Sequence, residues 1–167
     1  MKRLLALTSA ALLLAACAGK KDRDNDYAGI DGSDYVAGIP LGERSGDGAS
    51  FLGSNVSRNQ FDPVHFGFDS YVVSGDQMHK VRAVADAMRG TGNTIIVAGF
   101  TDERGTEEYN RGLGEKRALA VREALSGAGV RANRIQTVSF GKEMPVDPAS
   151  NESAWARNRR AEFGIVK

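Results

Sequence analysis

Asp102 and Arg117 bracket the most chemically loaded stretch of this chain, which from Gly99 to Arg117 reads GFTDERGTEEYNRGLGEKR. An apolar run with strand character, Thr94 to Ala98 (TIIVA), precedes it, and a segment with helical periodicity follows. The polar residues therefore sit where a strand hands over to a helix, a place where side chains and free backbone N–H groups converge. At about 100° per residue, Leu113, Ala120, Ala124, Leu125, Val121 and Tyr109 form one apolar stripe, and Arg117 falls inside it, roughly 40° from Leu113. A guanidinium cannot shed its charge, so one aimed at the core side needs an anionic partner. One reading is that Arg117 pairs with a neighbouring carboxylate such as Asp102, or merely snorkels. The other is that Asp102 and Arg117 flank a zwitterionic ligand, the carboxylate taking an ammonium and the guanidinium a carboxylate.

The elements that position this corner can be read on either side of it. Pro63 to Phe68 alternates Val64, Phe66 and Phe68 against His65 and Gly67, as a half-buried strand does, and Asp69 and Ser70 close it. Ser74 or Asp76 can cap a helix whose apolar positions are Met78, Val81, Val84, Ala85 and Met88. Thr94 to Phe100 is the second strand. The second helix runs from Thr106 to Ser126, with Glu107 and Glu108 in its first turn, where the macrodipole favours them. Gly112 and Gly114 each weaken it by about 1 kcal/mol relative to alanine, which suggests a ligand or a strand passing close by, or a bent helix start. Ile135 to Phe140 is a third strand, Asn151 to Asn158 a short helix around Trp155, and Arg160 to Val166 a final strand. Two main helices on one face of a four-stranded sheet make a two-layer α+β sandwich over residues 61–167.

The chain before residue 61 is of another kind. Met1-Lys2-Arg3 and the apolar run from Leu4 to Ala16 have the charge and length of a secretory leader over residues 1–16, too short to span a bilayer as a helix. The run ends at Leu14-Ala15-Ala16-Cys17, and Cys17 is the only cysteine. Exported proteins use structural cysteines in pairs, so the alternative of a buried or free thiol is the weaker one. Small residues before a lone cysteine resemble the bacterial lipobox, whose cysteine is lipidated and becomes the mature N-terminus. Ala18 in the next position favours the outer membrane by resemblance to lipoprotein sorting rules. Residues 17–60, poor in large apolar side chains and rich in Gly, Asp, Ser and Asn, have the composition of a flexible linker. Such a coil spans roughly 36 Å root-mean-square and about 140 Å extended. Tyr35 to Leu41 or Ser50 to Val56 are the segments able to pack back onto the domain.

Composition narrows the chemistry. Lys2 and Arg3 leave with the leader, so a formal charge of +1 falls to about −1, with none of the basic excess that nucleic acid requires. With only His65 and His79 and no second cysteine, a Cys–His site is excluded and a zinc site lacks ligands. Asp102, Glu103, Glu107 and Glu108 are a conceivable carboxylate pair for glycan cleavage. Acids beside a helix start are more simply explained by the dipole. No enzyme, metal or cofactor is expected.

Several motifs in order carry a resemblance: Thr101-Asp102-Glu103-Arg104-Gly105, Tyr109-Asn110, Leu113-Gly114, Arg117-Ala118, Ser139 to Pro145 (SFGKEMP), and Asn158-Arg159-Arg160-Ala161-Glu162-Phe163. Together they resemble the OmpA C-terminal-like domain, and within it the peptidoglycan-associated lipoproteins (Pal), over Phe61 to Lys167. The resemblance implies a βαβαββ core with a four-stranded mixed sheet. It also implies non-covalent binding of peptidoglycan through the diaminopimelate of its stem peptides, with Asp102 on the ammonium and Arg117 on the carboxylate. Thr101 and Asn110 would supply hydrogen bonds and Leu113 packing, with Asp69 and Arg159 as further candidates. The implied partners are peptidoglycan, the outer membrane through the N-terminal lipid, and the periplasmic propeller protein of the Tol system, which would compete with the wall for one surface. Where the family commonly has Gly-His-Thr-Asp, this chain has Gly99-Phe100-Thr101-Asp102, so changed packing or affinity is expected there. The alternative of a different class is a lipid-anchored interaction module in which Asp102 and Arg117 simply pair with each other.

Overall fold

The computed structural model describes residues 50–167; the leader, Cys17 and the linker up to residue 49 lie outside it. The elements run β1 (Val56–Arg58), β2 (Val64–His65), α1 (Met78–Met88), β3 (Thr94–Phe100), α2 (Glu107–Gly127), β4 (Ile135–Gly141), α3 (Glu152–Asn158) and β5 (Arg160–Val166). β3 is central: it pairs in parallel with β4 and antiparallel with β5, while β1 and β2 both pair antiparallel with β5. The sheet is mixed, as expected, but has five strands rather than four.

Alternation along β3 decides the two faces. Ile95 and Val97 point to the helices, where they meet Val81, Val84, Ala85 and Met88 of α1, Ala118, Val121 and Leu125 of α2, and Phe163 and Ile165 of β5. Ile96, Ala98 and Phe100 point the other way, into a smaller cluster with Phe51 and Val56. Phe100 stacks on Phe140 with centroids 5.3 Å apart. Phe51 closes the cluster over Gly164, where an added Cβ would lie 3.0 Å from the Phe51 ring.

The helices start where their caps are. Thr106 accepts the Tyr109 N–H to open α2, and Asn151 accepts the Ala154 N–H to open α3. Ser74 stands before a 3₁₀ turn, Gly75–Gln77, that runs into α1 without a side-chain cap.

Two expectations are corrected. Residues 50–58, inside the linker read over 17–60, belong to the fold, as the alternative that Ser50 to Val56 packs back onto the domain allowed: Phe51 is buried and Val56 pairs with Val166. The stretch is short, with Phe51 and Val56 as its buried apolar residues, and its order comes from partners far along the chain. The strand read over Pro63 to Phe68 is only Val64–His65, because Phe66 donates its N–H to Arg159 and the chain then turns away.

Candidate functional site

α2 lies almost on top of β3 at one point. A Cβ on Gly99 would sit 1.9 Å from the Gly114 carbonyl oxygen, and one on Gly114 would sit 2.3 Å from Ser139 Oγ. Glycine at both positions lets helix and strand touch. The close passage that Gly114 suggested is therefore that of a strand, whereas nothing lies near Gly112. This contact brings the first turns of α2 beside the turn that follows β3.

Between them opens a cavity of about 270 Å³. Phe68 and Asp69 line it from the loop after β2, Thr101, Asp102, Arg104 and Gly105 from the turn after β3, and Tyr109, Asn110, Leu113 and Arg117 from α2. The turn is pinned by its own polar groups. The Asn110 side-chain amide donates to the carbonyls of Arg104 (2.8 Å) and Thr106 (2.9 Å), the Thr101 hydroxyl donates to the Asp102 carbonyl, and the Thr101 N–H donates to Gly141. Tyr109 donates its hydroxyl to Asp69, a residue held at a φ of 49°, and this carboxylate holds the phenol above its ordinary value. Tyr109 was expected in the apolar stripe; it is half exposed at the cavity instead.

Arg117 is fully buried. Its Nε donates to the Ser70 carbonyl (2.8 Å), Nη1 to the Phe100 carbonyl (2.8 Å) and Nη2 to the Gly67 carbonyl (3.3 Å), with the Phe66 ring 5.2 Å from its guanidinium carbon. Among the described residues no carboxylate lies within ion-pair distance of it. Burial pushes its pKa down to about 10, with Asp102 partly offsetting that effect and Arg159 adding to it. It is charged at neutral pH, held by dipoles rather than by a counter-ion.

Asp102 is also buried, though less deeply, and is countered by two arginines. Burial pushes its carboxyl up, yet the Arg104 side chain, the Arg104 N–H and Arg159 outweigh this and hold it below its ordinary value. Arg104 reaches it at 2.7 Å and Arg159 at 3.3 Å. The direct pair of Asp102 with Arg117 that the alternative reading held does not form: Asp102 is paired with Arg104 and Arg159, and Arg117 with three backbone carbonyls.

Six of the seven expected binding residues, Asp69, Thr101, Asp102, Asn110, Leu113 and Arg117, line one cavity. Arg159 is brought in behind it, against Asp102. Phe100 is not part of it: its ring faces the back of the sheet, under the Arg160 guanidinium at 3.9 Å, and only its carbonyl serves the site. Phe68, Arg104, Gly105 and Tyr109 are additions. Arg104 stood in the Thr-Asp-Glu-Arg-Gly motif, and its position two residues after a buried acid was the available signal. Glu103, Glu107 and Glu108 are exposed, and Glu103 accepts the Trp155 indole N–H. His65 is half buried, with burial first and Lys80 next lowering its pKa, and His79 contacts the Asp76 carbonyl.

The OmpA family model matches residues 65–159. The chain is 35% identical to the peptidoglycan-associated lipoprotein of Pseudomonas aeruginosa over 156 residues, covering 92% of each, and 37% identical to that of Haemophilus influenzae, covering 96% of this chain and 95% of the other. Among solved structures it is similar to the peptidoglycan-associated lipoprotein of Burkholderia pseudomallei, at a TM-score of 0.60 and 39% identity over 75% of this chain and 98% of that one. The C-terminal domain of Helicobacter pylori MotB follows at 0.59 and 26% identity, over 64% of this chain and 84% of that one.

Proposed function

The chain belongs to the OmpA family and groups with its peptidoglycan-associated lipoproteins, and on that premise we propose that it ties an outer membrane to the cell wall by holding peptidoglycan non-covalently. The observation that carries this reading is Arg117: a buried cation on a cavity wall, without a carboxylate partner among the described residues and beside a carboxylate. Three of its N–H groups serve backbone carbonyls, and a guanidinium has five. A carboxylate on the two remaining donors supplies the missing counter-charge. The side-chain end of diaminopimelate carries a carboxylate and an ammonium on one carbon, so its second group falls toward Asp102. Thr101 and Asn110 shape the turn, and Leu113 and Asp69 border the peptide. Arg159 stands behind Asp102 at 3.3 Å and adds to the hold of Arg104 on its charge. Charge-assisted hydrogen bonds are worth roughly 1.5–3 kcal/mol each, and two or three of them, less the cost of association, suit a reversible hold.

The attachment to the membrane is assigned to Cys17 as a lipidated N-terminus, with Ala18 directing it to the outer membrane. No helix among the described residues is long and apolar enough to cross a membrane. We assign the chain to a Tol–Pal system, in which the periplasmic propeller protein meets the same surface and competes with the wall, in envelope integrity and cell division. The role is binding, without catalysis or a cofactor.

Co-sedimentation of the full chain with purified peptidoglycan sacculi tests this. The unsubstituted protein is expected in the pellet and the Asp102→Ala form in the supernatant. An unsubstituted protein that stays in solution at every sacculus concentration would contradict the proposal and leave a protein partner as the occupant of the cavity.

A further inference from the structure

Asp102 has no acceptor site left for a ligand. A carboxylate offers about four lone-pair positions. Its Oδ1 accepts from the Arg104 backbone N–H at 3.2 Å and from Arg104 Nε at 3.1 Å. Its Oδ2 accepts from Arg104 Nη2 at 2.7 Å and from Arg159 Nη1 at 3.3 Å. An ammonium that comes to this carboxylate must displace one of these donors.

The donors are not equally free to leave. The Arg104 N–H is fixed in the turn. The Arg159 side chain is 7% exposed and is held as well by the Phe66 carbonyl (3.1 Å) and by Glu152 (2.7 Å). The Arg104 side chain is 33% exposed and lies between two rings, Phe68 at 4.2 Å and Trp155 at 4.1 Å. Each such stack is weak at an exposed site and bears on the face of the guanidinium rather than on any one N–H. Glu152 Oε2 stands 3.9 Å from Arg104 Nη1, so a second acceptor is already beside it.

We propose that Arg104 is a resident cation that occupies the ammonium position of the cavity and sets its specificity. This rests on the reading that the cavity takes a zwitterion. A ligand that brings an ammonium moves the Arg104 side chain from Asp102 to Glu152 and takes its place. A ligand with only a carboxylate leaves Arg104 where it is and uses the Arg117 end alone. The ammonium is thus admitted only in exchange for a charge of the same sign, which keeps Asp102 neutralised in both states.

The prediction runs against simple contact loss: removing Arg104 tightens binding. Calorimetric titration of the full chain in detergent with meso-diaminopimelate is expected to give about tenfold higher affinity for Arg104→Ala than for the unsubstituted protein, the scale of one charge-assisted hydrogen-bond competition. Arg104→Gln, a neutral side chain of similar reach, should move the same way, and circular dichroism establishes that both variants fold. Pimelate, which lacks the ammonium groups, should show no gain in either variant. Trp155 is the only tryptophan, so its emission should change when diaminopimelate, but not pimelate, binds the unsubstituted protein. Equal or weaker diaminopimelate binding by both folded variants, with binding intact in the unsubstituted chain, overturns the role of Arg104 and leaves the zwitterion site standing. Absence of diaminopimelate binding in all three proteins overturns both.

Discussion

The two ends of the cavity hold buried charges by opposite means. At one end Arg117 is enclosed by three backbone carbonyls and has no counter-ion among the described residues; at the other Asp102 is saturated by two arginines. The members of the carbonyl cage belong to β3 and to the loop across from it. The arginine pair is buried only on the Arg159 side. On the proposed reading, one end takes the ligand's anionic group and the other is a cation site already filled from within.

The sharpest way to break this contrast is Arg117→Ala. It should weaken muropeptide binding by about 2–5 kcal/mol, as truncating one side of a buried charge contact does. It should also lower the melting temperature, because each carbonyl left without a donor costs about 1–3 kcal/mol. Stability loss with unchanged binding, by thermal denaturation and calorimetry on the same sample, would make the cage purely structural.

A smaller effect should appear with pH. Asp102 titrates below its ordinary 3.8 in the folded protein, so its contribution to stability is present above about pH 4 and is lost as pH falls through the lower folded value. Asp102→Asn should flatten that acid limb in urea unfolding measured across pH. Arg117's folded value of about 10 also lies below its ordinary 12.5, so stability again rises with pH, but here because a burial cost present at neutral pH is relieved as pH rises through about 10.

How far the sequence shows this contrast depends on the kind of contact. Thr101, Asp102, Asn110, Leu113 and Arg117 were legible because one strand-to-helix corner carries them all, so local periodicity and motif spacing suffice. β3 and β5 were legible for the same local reason, whereas the side-chain cap expected from Ser74 or Asp76 does not form. The partners of Arg117 were not, since backbone carbonyls of Gly67, Ser70 and Phe100 leave no mark in side-chain identity. The saturation of Asp102 depends on Arg159, which lies far along the chain. β1 was hidden because its three residues are ordered by pairing with β5 and by Phe51 over Gly164, across more than half of the described chain. The direction of Phe100 was available from strand alternation: it shares a face with Ile96 and Ala98, away from the cavity, so its difference from the family's usual histidine belongs to the back of the sheet.

The central claim is that Arg117 receives a ligand carboxylate. Its most direct test changes the ligand and leaves the protein intact: calorimetric titration of the full chain with a muropeptide whose diaminopimelate side-chain carboxyl is free, and with the same muropeptide amidated there. Saturable binding of the free acid, weakened about tenfold or more by amidation, is predicted from the loss of one charge-assisted contact. Equal affinity for both forms would contradict it.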